Sequence, residues 1–183
     1  MMNNPFLIGN KIYLRAPGEG DETIIAISEN HPAPRETLFY ARPSSAADIR
    51  KKLNDMAANP NTIALVICNL ETDEVLGLTS FLRIDWIGRM AIFYIAISEE
   101  KNWSQGYGSE ATHLMMAYAF NTLNFNRVQL HVYAGNEKAV KAYQRCGFII
   151  EGTLRQAMYR DGSYHDFFVM GLLREDWIKT TPQ

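Results

Sequence analysis

The sequence predicts an α/β fold in which helices sandwich one mixed β-sheet around a central strand–helix–strand crossover. Three observations carry this reading. After Asn59-Pro60-Asn61 the apolar spacing changes from helical period to β-rich runs. Met90 to Ile97 is almost wholly apolar, as expected of a central strand covered on both faces. A glycine-bearing loop then leads into a helix, and the helix into another strand, which is a crossover unit.

The elements follow in order. Lys11 to Ala16 alternates polar and apolar positions and reads as a short strand closed by Pro17-Gly18. Asp21 is placed to cap a first helix ending near Asn30, and His31 to Pro43, with Pro32, Pro34 and Pro43, should be irregular. Ser44 or Ser45 caps a second helix that carries Ile49, Leu53, Met56 and Ala57 on one face. Thr62–Leu70 and Val75–Ile84 form a hairpin across Glu71-Thr-Asp-Glu74. Ala111, Leu114, Met115 and Tyr118 recur at helical spacing, Arg127–Tyr133 is a strand, and Asn136–Cys146 is a helix stopped by Gly147. Phe148–Met158 and Tyr164–Leu173 flank Arg160-Asp-Gly-Ser163, where Asp-Gly is a hairpin signal.

Composition narrows the class. The 183 residues, 47% apolar and 21% charged, suit a single globular domain over residues 1–183 with a core that needs no disulfide or metal. A formal charge of −2 gives no reason to expect nucleic acid or an anionic membrane as partner. Cys68 and Cys146 both lie in apolar patterns and read as buried free thiols, with a reactive nucleophile as the sharper alternative. The N-terminus lacks the pattern of a signal peptide and no apolar run is long enough for a bilayer, so the expected location is cytoplasmic. The four scattered histidines show no metal-ligand spacing, and no metal is expected.

Gln105-Gly-Tyr-Gly108 sits between a buried strand and the first turn of a helix. Free backbone N–H groups and the positive end of the helix dipole make such a place an anion site. A plain glycine-containing turn would look the same. Gly106-Tyr-Gly108-Ser-Glu-Ala111 also matches a dinucleotide fingerprint. Against that reading, residues 98–105 separate the strand from the first glycine, and the next strand ends in His131-Val-Tyr133 without a carboxylate for a ribose.

Three motifs in order resemble the GNAT superfamily of N-acetyltransferases, and within it the branch of ribosomal-protein-alanine N-acetyltransferases (RimJ/RimL-like). They are Trp103-Ser-Gln-Gly106-Tyr-Gly108; Asn136-Glu-Lys-Ala139 through Tyr143 to Gly147-Phe148; and Glu151-Gly-Thr-Leu-Arg155 with Tyr159-Arg-Asp-Gly162 through Asp166 to Trp177. The resemblance is dense from Thr62 to Trp177. It implies a GNAT-type sheet with an acyl-CoA-binding crossover and an enzyme that moves an acetyl group from acetyl-CoA to a primary amine by direct attack. Acetyl-CoA would lie between the strands Met90–Ile97 and Arg127–Tyr133, its pantetheine along Ile95, Ala96, Ile97 and Ser98. Its pyrophosphate would rest on the loop of Trp103, Ser104, Gln105, Gly106, Tyr107, Gly108 and Ser109. Main-chain N–H groups near Ile97 would steady the oxyanion. Tyr143 would protonate the departing thiolate, though its place on an apolar stripe also suits core packing. Asn136 would contact pantetheine, cap its helix, or do both; Ala139 lies beside it. Lys138 and Arg145 would reach adenine-side phosphates or stand as solvated charges. Homodimers are common among the relatives.

Two departures from the pattern matter. Trp103 replaces the usual Arg or Gln at the head of the phosphate motif, with Lys101 a nearby source of charge. Ile92 falls where relatives often carry a glutamate able to deprotonate the amine. Without it the base must lie elsewhere or the amine must arrive neutral. An α-amine, with a pKa of about 8, is partly so at cellular pH; a lysine or polyamine ammonium, near about 10.4, is far less so. The expected acceptors are therefore a protein N-terminus, then a small amine or polyamine, then an aminoglycoside-like drug. His131, Asp85, Glu110 and Asp166 are substitute bases, each with a structural alternative. A non-catalytic acyl-CoA-binding module or sensor is the second hypothesis, supported by Ile92 and opposed by Tyr143 and Asn136. The acceptor site should form from His31–Pro43, the Asp85–Gly88 turn and the terminal hairpin.

Overall fold

The computed structural model describes residues 2–38 and 40–180, so Phe39, inside the segment expected to be irregular, lies outside it. The elements are β1 (Leu7–Ile8), β2 (Ile12–Arg15), α1 (Asp21–Asn30), α2 (Pro32–Arg35), α3 (Ala46–Ala58), β3 (Ile63–Asn69), β4 (Val75–Asp85), β5 (Met90–Ile97), α4 (Tyr107–Ala117), β6 (Arg127–Tyr133), α5 (Glu137–Arg145), β7 (Ile149–Arg160), β8 (Ser163–Leu173) and α6 (Arg174–Thr180). Among the described residues the strands form one sheet in the order β1-β2-β3-β4-β5-β6-β8-β7. Only β5 and β6 run parallel; the other neighbours are antiparallel. This is the GNAT fold that the motifs imply.

Helices cover both faces, which is why the inner strands are apolar at consecutive positions. On one face Ile12, Leu14, Ile67, Leu76 and Phe93 pack under Ala111, Met115 and Met116 of α4 and Val140 of α5. On the other, Tyr13, Val66, Cys68 and Leu78 pack under Ile25 and Ala26 of α1 and Ile49 and Leu53 of α3. Cys68 is fully buried and Cys146 half-buried, both as free thiols.

Local signals hold where chemistry is local. Ser45 builds a reciprocal capping box with Asp48 at the head of α3. Asp161 and Gly162 both take positive φ, 48° and 80°, as a two-residue hairpin turn of the primed type requires.

Four expectations change. Asp21 is not a cap. Gly20, at φ 96°, occupies that position, and the Asp21 carboxylate turns inward to a two-pronged pair with Arg15 at 2.7 and 2.8 Å. Both partners are buried, and leaving one such charge alone costs about 3–5 kcal/mol, several times the value of a cap. Within the 31–43 segment, Pro32–Arg35 forms one helical turn headed by the His31 side chain, which accepts from the Ala33 amide. The two-residue β1 and seven-residue α6 are too short to show a period. β1 exists because Leu7 and Ile8 pair with Leu14 and Tyr13. α6 carries Trp177 into the core beside Phe120, ring centroids 5.9 Å apart.

Candidate active site

The parallel pair β5–β6 holds register only at Met90↔Arg127, Ala91↔Val128 and Ile92↔Gln129. Beyond Ile92 the strands part, while β5 stays paired to β4 as far as Ile97. The Tyr94 carbonyl accepts from Thr79 and the Ser98 amide donates to Leu76, so these alternate residues turn their main chain toward β4. Ile95 and Ile97 therefore turn theirs toward the gap, as an edge open to an added strand. The gap opens a cleft of about 590 Å³.

The cleft gathers most of the residues singled out from sequence. Ile95, Ala96, Ile97, Trp103, Ser104, Gly106, Gly108 and Ser109 line it from β5 and the loop, and Asn136, Lys138, Ala139, Tyr143 and Arg145 from α5. Ser98, Gln105 and Tyr107 do not. Ser98 is buried with its amide on Leu76, and the Tyr107 hydroxyl accepts from Asn69 Nδ2 at 3.3 Å. Gly106, at φ 89°, heads α4 without a side-chain cap, so the amides of residues 104–109 have no hydrogen-bond acceptor among the described residues. That is the row of outward N–H groups an anion needs.

Trp103 and Lys101 take structural parts. The Trp103 indole donates to the Ile97 carbonyl at 3.1 Å, bracing the loop against the end of β5. Lys101 is occupied by Glu99 and Glu74, which raise its pKa. The cation beside the loop is Lys11, whose Nζ donates to the Gln105 carbonyl at 3.2 Å. Sequence reading missed it, because Lys11 is 94 residues away and the contact exists only once Glu110 accepts from the Asn10 and Lys11 amides.

Asn136 caps α5, its Oδ1 accepting from the Ala139 amide at 3.1 Å, and also lines the cleft. Tyr143 packs edge-on to Phe148, centroids 6.0 Å apart, and its hydroxyl has no hydrogen-bond partner among the described residues. Burial, with Cys146 nearby, pushes its phenol well above the ordinary range, so it holds its proton at neutral pH.

On the α1–α3 face the cleft is bordered by Pro34, Thr37 and Leu38 of the 31–43 segment. Tyr40 and Tyr94 join hydroxyl to hydroxyl, Asn30 and Ser44 exchange hydrogen bonds at 2.7 and 2.9 Å, and Arg160 donates to the Arg35 and Leu38 carbonyls. Arg160, which the sequence places in the turn and motif of the terminal hairpin, ties that hairpin to this segment.

Three substitute bases are committed elsewhere. Asp85 accepts from the Ile87 and Gly88 amides, Asp166 from the Gln156 amide in a bulge of β7, and Glu110 from the β1–β2 turn. Among the described residues no Asp or Glu lines the cleft; His131 does. Beside it on the sheet, Arg127 makes a two-pronged pair with Glu151 that holds the carboxyl below its ordinary range. A depressed carboxyl stabilises the fold above its unfolded pKa of about 4.3 and loses that contribution as pH falls through the folded value. Thermal unfolding followed by circular dichroism should therefore show the melting temperature dropping faster below about pH 5 in the wild type than in Glu151→Gln.

A parallel pair that parts mid-strand, beside a glycine loop heading a helix, defines an acyl-CoA-binding crossover. The family model for the acetyltransferase (GNAT) domain matches residues 11–149, and the chain belongs to that family. It is an acetyl-CoA-dependent N-acetyltransferase, and acetyl-CoA is its cosubstrate. The chain is 27% identical over 173 residues to a spermidine N(1)-acetyltransferase of Vibrio cholerae, covering 93% of this chain and 98% of that protein. It is 28% identical over 169 residues to YdaF, a putative ribosomal N-acetyltransferase of Bacillus subtilis, covering 91% and 92%. The crystal structure of the Vibrio cholerae spermidine N-acetyltransferase in complex with CoA and spermine superposes with a TM-score of 0.83 at 26% identity, over 92% of this chain and 98% of that one.

Proposed function

We propose that the favoured acceptor is an α-amine of low pKa, a protein or peptide N-terminus as in the ribosomal-protein-alanine branch, with a small amine or polyamine next. The observation that carries this is the absence of any carboxylate among the described residues lining the cleft. A polyamine brings several ammonium groups, and each, taken from water, needs an opposite charge or strong acceptors. Glu29, the buried acid on that side, is already held by Lys52 at 2.5 Å and by Ser44. One α-amine, partly neutral at pH 7, makes no such demand.

Acetyl-CoA enters the gap between β5 and β6, its pantetheine along Ile95 to Ile97 and its pyrophosphate on the amides of residues 104–109. Asn136 and Ala139 border the pantetheine, and Lys138 and Arg145 the adenine-side phosphates. Tyr143 returns a proton to the thiolate. Lys11 supplies the charge that Trp103 lacks. An exposed pairing of this kind contributes up to about 1 kcal/mol, about fivefold in affinity. Lys11→Ala should raise the KM for acetyl-CoA about three- to fivefold and leave kcat unchanged, measured by steady-state thiol release.

Thiol release across peptides with free N-termini, N-blocked peptides carrying lysine, spermidine and spermine tests the acceptor. Free N-termini should give the highest kcat/KM. Faster turnover with spermidine or spermine would overturn the reading.

A further inference from the structure

Val128, Leu130 and Val132 of β6 point into the α4–α5 core, so Arg127, Gln129 and His131 share the opposite face. Ala91 and Phe93 of β5 point into that same core, leaving Ile92 and Tyr94 on the face with Gln129 and His131. Ile92 and Gln129 are the last paired residues before the strands part. The next residues on that face, one on each lip of the opening, are Tyr94 and His131, and both line the cleft with Tyr143. We propose, building on the N-acetyltransferase chemistry above, that His131 takes the proton from the incoming amine, and that Gln129 positions it to do so.

A hydrogen-bond chain sets the form of the imidazole. Glu151 accepts from Arg127, and Arg127 donates to Gln129 Oε1 at 3.2 Å. A guanidinium can only donate, so the Gln129 amide must turn its oxygen to Arg127 and its NH2 to His131. Gln129 Nε2 stands 3.1 Å from His131 Nε2. The latter must therefore be the acceptor, with the ring proton on Nδ1 and the basic lone pair on Nε2. A protonated ring would set one N–H against another and lose this contact.

The charged groups around His131 include Lys138, Lys141 and Arg145 of α5, which line the same cleft. On β6 and β7 they are Arg127 and Glu151, paired with each other. β8 presents Val169 directly opposite, β5 presents Tyr94, and the 31–43 segment presents Pro34, Thr37 and Leu38, with the Arg160 guanidinium held on the carbonyls of Arg35 and Leu38. Burial pushes the Tyr94 phenol well above its ordinary range, so it keeps its proton, and the Tyr40–Tyr94 hydroxyls share one hydrogen bond.

The step balances. An ammonium N–H bond breaks and its proton goes to His131 Nε2, displacing the Gln129 contact. The freed amine lone pair forms the C–N bond to the thioester carbon, and the C–S bond breaks with its electron pair on sulfur. Tyr143 gives the thiolate its proton and recovers one from the new amide nitrogen. His131, exposed at the cleft rim, releases the first proton to water.

The test is kcat/KM against pH for the wild type, His131→Ala and Gln129→Glu, using the best peptide of the panel. His131→Ala should lose about 100-fold and its acid limb, with partial recovery in added imidazole. In Gln129→Glu a carboxylate would accept from the protonated ring, moving the acid limb up by about one pH unit. Nitrogen-15 shifts of the wild-type imidazole should report the Nδ1–H form. A His131→Ala enzyme within threefold of wild type, with its acid limb intact, overturns the base role; an Nε2–H ring overturns the part given to Gln129. Acetyl-CoA binding by calorimetry should be unchanged in both variants. A wild type that binds acetyl-CoA yet acetylates no amine overturns the N-acetyltransfer reading and the base together, whereas turnover in His131→Ala within threefold of an active wild type overturns the base alone.

Discussion

Tyr143→Phe should lower kcat about 100-fold or more while leaving the KM for acetyl-CoA within about twofold. A proton delivered to a leaving group is needed only as the C–S bond breaks, so its loss falls on kcat. The fold should not suffer. The ring keeps its contact with Phe148, and the hydroxyl has no protein partner among the described residues to lose. The raised pKa fixes the sign of the pH dependence. The protonated phenol persists above the ordinary value of about 10, so the alkaline decline in kcat should begin above that value, provided the wild type stays folded there. Steady-state kinetics between pH 6 and 10.5 check this. Equal kcat in the two enzymes would return Tyr143 to the core and leave the thiolate to be protonated by solvent.

Gly77→Ala should be the most damaging small change in the sheet. A Cβ at Gly77 would stand 2.1 Å from the Ala96 carbonyl oxygen and 3.1 Å from Ile97 Cα, both main-chain atoms that cannot swing aside. Gly77 pairs with Ile97, so β4 and β5 would have to separate at the stretch where β5 forms the cleft edge. Overpacking usually costs about 1–3 kcal/mol, and backbone against backbone belongs at the upper end. For a chain of this size about 3 kcal/mol lowers the melting temperature by roughly 6–12 °C. Calorimetry should show that loss together with weaker acetyl-CoA binding. A melting point within about 2 °C of wild type would mean that the strands part there without cost.

Legibility in the sequence followed the range of the interaction. Ser45 with Asp48, the Asp161-Gly162 turn and the Asn136 cap rest on contacts within a few residues, and each stands as its local pattern predicts. Asp21 misled because its short-range capping preference is outweighed by a buried pair with Arg15. The GNAT motifs led to the loop and α5, whereas Lys11 and Gln129 belong to no motif, and the motif that holds Arg160 does not show its partner. Their partners, Gln105, Arg35 and His131, lie on other segments or depend on which face of a strand is exposed.

By itself the sequence determined the order of the longer elements, the apolar faces, the glycine loop and the family chemistry, because period, turn residues and short motifs are local properties of the chain. Only the tertiary structure decided where β5 and β6 part, which carboxylates are already engaged, and which side chains share the resulting cleft. Those depend on register and on competition among distant partners for the same hydrogen bonds, and no local pattern encodes the outcome of that competition.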